Sequence, residues 1–110
     1  MTIIKPDPTL KNNLMIFGFE CGQGWYPLIY ELLDKLQNIV DSDDRFADVQ
    51  VTQVKEKWGG LRVYLSFGSD EMFDLIDEYE KKSFTICEVC GKPGKLRNNG
   101  WYKTRCEKCE

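Results

Sequence analysis

The chain has 110 residues, of which 42% are apolar and 30% charged, and it includes three Trp, five Tyr and six Phe. This is enough apolar material for one compact core, so the composition excludes wholesale disorder. The sequence contains no histidine, which excludes catalysis by a His general base or by a His-containing triad.

The net charge of −3 hides a strong asymmetry along the chain. Residues 1–80 carry seven Lys/Arg and fifteen Asp/Glu, net −8, whereas residues 81–110 carry eight and three, net +5. If four cysteine thiolates in the second segment hold a Zn²⁺ ion, that segment loses about two positive charges and remains cationic.

The longest apolar stretches fall well short of the roughly 20 residues that a membrane span needs, and residues 1–6 lack the apolar region of a secretory signal. We therefore expect a cytoplasmic protein without a membrane partner. The five cysteines are an odd number, and four of them form two Cys-x-x-Cys pairs. Without an export signal, this pattern favours a metal site over disulfides.

In chain order, residues 1–16 predict an extended N-terminal arm, because Pro6 and Pro8 fix extended backbone and no apolar periodicity surrounds them. A glycine-punctuated loop follows, and then apolar residues recur at helical spacing. With Pro27 suited to a first helical turn, this pattern predicts a helix over residues 26–40.

Residues 48–67 predict a β-hairpin, because two Val/Thr/Tyr-rich runs flank Gly59 and Gly60, which readily adopt the positive φ of a two-residue turn. This turn pairs Trp58 with Leu61. Period-two alternation then predicts a core face that consists of Val54, Trp58, Leu61, Val63, Leu65 and Phe67.

Val49 and Val51 are out of phase with this face, which predicts a β-bulge near Thr52 or Gln53 if both valines are buried. The same register places the carboxylate of Glu56 among apolar residues, where an unpaired charge is costly. Glu56 is therefore either a functional carboxylate in a pocket or one partner of a salt bridge to a Lys or Arg of a neighbouring element.

A second helix is predicted to begin after Ser69, a favourable N-cap, and to end near Lys81 and Lys82, which complement the helix dipole. Its apolar stripe consists of Met72, Leu75, Ile76 and Tyr79. We expect this helix to cover the hairpin. Residues 83–86 then predict a short strand that leads into the cysteine-rich segment.

Two Cys-x-x-Cys pairs lie fifteen residues apart, a spacing typical of four-thiolate zinc modules; the four cysteines are Cys87, Cys90, Cys106 and Cys109. Residues 98–100, Asn-Asn-Gly, predict a hairpin turn between the pairs, as in a zinc ribbon. Four protein ligands leave no position for an activated water, so the expected Zn²⁺ is structural. Iron in the same site, or cysteines without metal, are the alternatives. Cys21 is expected to be an idle or buried thiol rather than a fifth ligand.

Two basic surfaces are candidate contacts for a phosphate backbone, each with aromatic rings that can stack on bases. The first is the polar face of the hairpin, which consists of Lys55, Lys57, Arg62 and Tyr64. The second lies in the C-terminal segment and consists of Lys92, Lys95, Arg97, Trp101, Tyr102, Lys103 and Arg105. Alternatively the hairpin face is simply solvated, and Trp101 or Tyr102 packs against the rest of the chain.

The sequence contains Glu20-Cys21-Gly22-Gln23-Gly24-Trp25, then Val54-Lys55-Glu56-Lys57-Trp58-Gly59-Gly60-Leu61-Arg62-Val63-Tyr64, then Cys87-Glu88-Val89-Cys90-Gly91-Lys92-Pro93-Gly94 and Gly100-Trp101. Together these motifs resemble a family of small, functionally uncharacterised bacterial and phage proteins. The resemblance covers about residues 17–110. It implies a prokaryotic or phage cytoplasmic protein with a zinc-ribbon end, and it implies no activity.

We therefore predict an α+β fold. After the arm of residues 1–16, residues 17–84 form a helix–β-hairpin–helix domain, and residues 85–110 form a zinc ribbon that packs on it. The expected function is that of a non-enzymatic interaction module that binds nucleic acid or a protein partner.

Two other classes of function stay open. The first is an accessory protein, for example a phage anti-defence protein, that captures a small anionic, nucleotide-like ligand between the Gly22–Gly24 loop and the hairpin. The loop precedes a helix N-terminus, which favours anions, although a plain turn into the helix also explains its glycines. The second class is an enzyme built on Glu56 or Glu20 together with Arg62.

Overall fold

The structure is a computed structural model that describes residues 19–98 and 100–109. The predicted arm of residues 1–16 lies outside the described residues. In chain order the elements are β1 (Phe19–Glu20), α1 (Tyr26–Asp41), β2 (Val51–Lys57), β3 (Gly60–Leu65), α2 (Asp70–Ser83), β4 (Lys95–Asn98) and β5 (Tyr102–Arg105). The strands form two small sheets, β1-β2-β3 and β4-β5, so the mixed α+β class is confirmed.

Helix α1 confirms the helix predicted over residues 26–40. A single 3-10 turn, Gln23–Trp25, precedes it, and Pro27 lies in its first turn, where the missing N–H has no partner to lose. One stripe of the helix is buried and consists of Leu28, Ile29, Leu32, Leu33, Leu36 and Val40. This stripe forms the largest part of the hydrophobic core.

Strand β1 pairs in parallel with β2, with Phe19 opposite Val54, and sequence reasoning missed it. Two residues are too few to show an alternating pattern, so no local signal marked this strand. The core closes over it, because the ring of Phe19 packs edge-on against the rings of Tyr26 and Tyr30 of α1.

The hairpin forms where it was predicted, but its turn lies one residue earlier. Lys57 pairs with Gly60, so the central turn residues are Trp58 and Gly59, both with positive φ (57° and 83°), as a type I′ turn requires. The predicted pairing of Trp58 with Leu61 is therefore wrong, because Leu61 lies opposite Glu56.

In the observed register, each β2 residue lies opposite a β3 residue two positions earlier than predicted. A shift of two positions keeps every strand residue on its predicted face of the sheet. Val54, Leu61 and Val63 are buried as expected. Trp58 and Phe67, which were expected in the core, are exposed, because Trp58 lies in the turn and Phe67 follows the end of β3. The predicted bulge is confirmed, since the register shifts between Val51 and Gln53.

Helix α2 begins as predicted, with the Ser69 hydroxyl accepting a hydrogen bond from the Met72 N–H at 3.3 Å. Met72, Ile76 and Tyr79 are buried, and α2 packs against β3 and α1. No helix in the part of the chain that the structure describes is long and apolar enough to cross a bilayer.

The prediction of a strand over residues 83–86 is wrong. Helix α2 extends to Ser83, a turn follows, and in this segment only Ile86 forms a bridge, to Pro93. The helix continues because the buried Ser83 hydroxyl bonds the Glu80 carbonyl and also accepts the Leu61 N–H at 3.0 Å, which fastens the end of α2 to β3.

Candidate metal centre and the surfaces around it

The C-terminal segment, here called the cysteine module (residues 86–98 and 100–109), is a two-stranded sheet flanked by two Cys-x-x-Cys turns. Strands β4 and β5 pair from Lys95 opposite Arg105 to Asn98 opposite Tyr102. The Gly91 N–H closes the first turn, and the Cys109 N–H closes the second by donating to the Cys106 carbonyl. This arrangement is compatible with a zinc-ribbon-like module.

The four cysteines of the module, Cys87, Cys90, Cys106 and Cys109, come together at one point. Their sulfur atoms all lie within 4.8 Å of one another. The Sγ atoms of Cys90 and Cys106 are 3.6 Å apart, too far for a disulfide at about 2.05 Å but close to the roughly 3.8 Å expected between sulfurs on tetrahedral Zn²⁺. The four-sulfur group can therefore hold one metal ion.

The protonation of these thiols is interdependent. Burial opposes ionisation of Cys87, but the backbone N–H groups of Cys90, Cys106 and Val89 outweigh it and lower its pKa to about 6. Burial is likewise outweighed at Cys106, whose pKa is lowered by hydrogen bonds from Cys109 and Cys90. The hydrogen bond to Cys106 raises the pKa of Cys109 to about 12. Four sulfurs this close cannot all ionise unless a cation lies between them.

Cys21 takes no part in this cluster. Burial raises the pKa of its thiol to about 12, and the carboxylates of Glu88 and Glu56 add to the effect. Such a thiol stays protonated at neutral pH, so it is neither a good metal ligand nor a reactive nucleophile.

The first Cys-x-x-Cys turn docks on the loop that precedes α1. The Gly24 N–H donates to the Glu88 carbonyl at 2.7 Å, and the Gly22 N–H donates to the Glu88 carboxylate at 2.9 Å. A Cβ atom on Gly24 would lie 2.1 Å from the Cys87 carbonyl oxygen, so only glycine permits this approach. The indole N–H of the fully buried Trp25 donates to the Ile86 carbonyl at 2.8 Å.

These contacts give the Glu20–Trp25 motif a structural role that sequence reasoning missed. The Gly22 N–H before α1 does meet an anion, but it is the carboxylate of Glu88, a buried residue of the same chain. The other oxygen of Glu88 lies 4.0 Å from the Arg105 guanidinium. The only available signal was the pair of glycines two residues apart, which does not reveal what approaches them.

The hairpin turn docks on the other side of the module. The Thr104 hydroxyl donates to the Gly59 carbonyl at 2.7 Å, and a Cβ atom on Gly59 would lie 2.4 Å from a methyl group of Leu96. Glu56 braces the turn, because its carboxylate accepts the Gly59 N–H at 2.8 Å and pairs with the Lys103 ammonium at 3.1 Å. Glu56 is therefore one partner of a salt bridge to a neighbouring element, the second of the two interpretations of this residue.

Several basic residues proposed as nucleic-acid contacts have partners within the protein. Lys103 pairs with Glu56, and Arg105 faces Glu88, as described above. On the hairpin face, the Arg62 guanidinium lies 3.4 Å from Glu80 of α2. Glu20 lies opposite Lys55 in the β1–β2 register, and its carboxylate accepts a hydrogen bond from the Gln53 amide at 3.0 Å. The three carboxylates thus have different partners: Glu80 pairs with Arg62, Glu56 pairs with Lys103, and Glu20 accepts from Gln53.

Four cations of the module line a groove of about 480 Å³, here called the cationic groove; they are Lys92, Lys95, Arg97 and Lys108. The Arg97 guanidinium also donates a hydrogen bond to the Arg105 carbonyl at 3.1 Å. Pro93, Gly94, Cys106 and one acid, Glu107, complete its wall. Sequence reasoning missed Lys108, because its proximity to the other three depends on the metal cluster that joins the two ends of the module.

The candidate aromatic residues of the module remain exposed. Trp101 is 78% exposed and Tyr102 is 43% exposed. Tyr102 has a neighbour, since its ring lies 6.3 Å from the ring of Trp58, edge to face. Tyr64 and Lys57 on the hairpin are exposed as well.

No protein-family model, no curated protein and no solved structure matches the chain, so its function has to be inferred from the site itself.

Proposed function

We propose that this chain is a Zn²⁺-stabilised, non-enzymatic interaction module that binds nucleic acid through the cationic groove. The metal folds the module, and the module presents the groove.

The donor set supports zinc. Four cysteine sulfurs within 4.8 Å of one another suit Zn²⁺ or iron, and Zn²⁺ needs neither redox chemistry nor a further ligand. With all four positions filled by protein, the ion is structural. Its effect on function is indirect, because it holds Lys108, next to Cys109, beside residues 92–97.

The single observation that carries the nucleic-acid proposal is the lining of the cationic groove. Four cations face one acid there, and Lys92, Lys95 and Lys108 are exposed rather than engaged in the internal ion pairs that occupy Lys103 and Arg105. A concave surface of this kind attracts a phosphate backbone. The net −8 of residues 1–80 repels a polyanion elsewhere, so we expect binding limited to the module and micromolar at best.

Two competing sites are less favourable. The hairpin face carries Lys55, Lys57 and Arg62, but Arg62 pairs with Glu80, and the acidic residue Glu20 lies opposite Lys55 in the β1–β2 register. The loop proposed to capture a small anionic ligand already donates its N–H groups to Glu88.

The test is fluorescence anisotropy with a labelled single strand and a duplex of equal length, at several salt concentrations. Charge reversal of the groove (Lys92→Glu, Lys95→Glu, Lys108→Glu) should weaken binding at least about tenfold at low salt. Each lost phosphate contact should also flatten the slope of log affinity against log salt by about 0.9 for duplex and about 0.7 for single strands.

Single-site controls separate the groove from general charge effects. Lys81→Glu, on the exposed end of α2, makes the same charge change as Lys95→Glu and should leave affinity nearly unchanged. The double variant Lys55→Glu, Lys57→Glu tests the hairpin face. The proposal fails if the wild-type protein binds neither probe at low salt, in which case a protein partner becomes the better hypothesis, or if the groove variant binds as tightly as wild type.

A further inference from the structure

Trp58 combines a disfavoured backbone with an exposed side chain. It has φ of +57° in the first central position of the β2–β3 turn, where bulky residues are rare and Asn or Gly fits without strain. Its side chain does not reach the core, since it is 64% exposed. The folded state therefore gains little from a tryptophan at this position.

The ring of Trp58 lies beside the ring of Tyr102 of β5, at 6.3 Å between centroids and an interplanar angle of 69°. The turn below it is rigid, because Gly59 is bonded by Glu56 on one side and Thr104 on the other. The result is a pair of exposed aromatic rings at the junction of the hairpin and the cysteine module, one of them on a turn whose backbone is held from both sides. Backbone strain held in place by tertiary contacts is characteristic of functional sites.

We propose, on the basis of the nucleic-acid function above, that Trp58 and Tyr102 form a base-stacking platform and that the ligand is single-stranded nucleic acid. Every base has a π face, so such a platform binds without strict sequence preference. The exposed ammonium group of Lys57 is adjacent in sequence to Trp58 and can contact a neighbouring phosphate.

The register of the module favours a single strand over a duplex. Tyr102 lies opposite Asn98, and Arg97 lies opposite Lys103, so Tyr102 and the groove residue Arg97 point to opposite faces of the β4–β5 sheet. A ligand that reaches both the platform and the cationic groove must bend around this two-stranded sheet. A flexible single strand can do so with its bases unstacked, whereas a stiff duplex with stacked bases cannot.

The closing experiment uses Trp58→Asn in the full-length, metal-loaded chain. Because Asn-Gly is the preferred type I′ sequence, the melting temperature should stay the same or rise. Affinity for a labelled oligothymidylate should fall at least about fivefold, the loss of roughly one stacked base. Trp58→Phe should keep most of the affinity. Phe73→Ala removes a similarly exposed aromatic residue, from α2, and should leave affinity unchanged.

A second readout follows the indole directly. In a Trp101→Phe background, Trp58 is the remaining exposed tryptophan, since Trp25 is fully buried, and its fluorescence should be quenched as the oligonucleotide binds.

The outcomes distinguish the two proposals. If Trp58→Asn and Tyr102→Ala bind the single strand as tightly as wild type while the groove variant does not, the platform is wrong and the proposed function stands. A Trp58→Asn protein that melts markedly earlier also overturns the platform, because the ring is then needed for folding. If the wild-type protein binds no nucleic acid, both proposals fail.

Discussion

At Gly22 and Gly24 the absence of a side chain lets the first Cys-x-x-Cys turn reach the start of α1. A Cβ atom on Gly22 would lie 2.4 Å from the Glu88 carbonyl oxygen, and one on Gly24 would meet backbone atoms of Cys87, Glu88 and Gly91. Backbone cannot move aside as a side chain can, so these two positions couple the helix to the metal centre.

We predict that Gly24→Ala destabilises the protein by about 2 kcal/mol or more, because overpacking against fixed backbone forces the docked turn away from the loop. The variant should also bind metal more weakly, since the displaced turn carries Cys87 and Cys90. Urea unfolding and a zinc competition assay measure the two effects.

Gly68→Ala is the matched control for this substitution. Its Cβ atom would come within 3.2 Å only of a Leu65 methyl group at the end of a flexible side chain, so the cost should be small. Equal stability of the Gly24→Ala and wild-type proteins would show that the first cysteine turn does not dock on this loop.

The helices and the hairpin could be predicted from local signals, and the docking contacts could not. Helix α1 has an apolar stripe, and α2 begins at a favourable N-cap, Ser69, so both features are visible in sequence. The turn shifted by one residue because Glu56 and Thr104 hold Gly59 in place, contacts that exist only in the folded chain. The exposure of Trp58 follows from that shift.

The same division applies to the candidate site. The Cys-x-x-Cys spacing predicted four ligands, and their sulfurs lie together. The sequence does not show which basic residues form internal ion pairs, because the ion pairs of Lys103 and Arg105 depend on how the module packs on the rest of the chain.

The brace between Glu56 and Lys103 joins the β2–β3 hairpin to β5, and its strength can be measured by a double-mutant cycle. We expect Glu56→Gln and Lys103→Met to show a coupling energy of about 0.5–1 kcal/mol in urea unfolding, because the Glu56 side chain is only 17% exposed although the Lys103 side chain is 37% exposed. The matched pair Glu78→Gln and Lys82→Met is more exposed and should couple by roughly 0.3 kcal/mol. Coupling no larger than in that pair would mean that the bond to Gly59 alone holds Glu56.

At the scale of the whole molecule, the cysteine module contacts the α/β body, here residues 19–83, at two places. It accepts the indole N–H of Trp25, a fully buried core residue, and it holds the hairpin turn through Thr104. The charges favour the same arrangement, since a module of net positive charge packs on a body that carries seven Lys/Arg and fourteen Asp/Glu, net −7. Folding of the module and of the body should therefore be coupled.

Purified protein should contain about one Zn²⁺ per chain, and Cys90→Ser should lose the metal and lower the melting temperature by at least about 10 °C, because metal binding at such a site contributes directly to folding free energy. Cys21→Ser, which removes a cysteine outside the cluster, should keep its metal and melt close to wild type.

Hydrogen exchange measures the coupling of module and body directly. If the module stabilises the body, chelation should reduce protection at the Trp25 indole N–H and in the first turns of α1, and added Zn²⁺ should restore it. Protection that is unchanged by chelation would mean that the body folds independently of the metal, and metal-free protein purified under reducing conditions would contradict the zinc site itself.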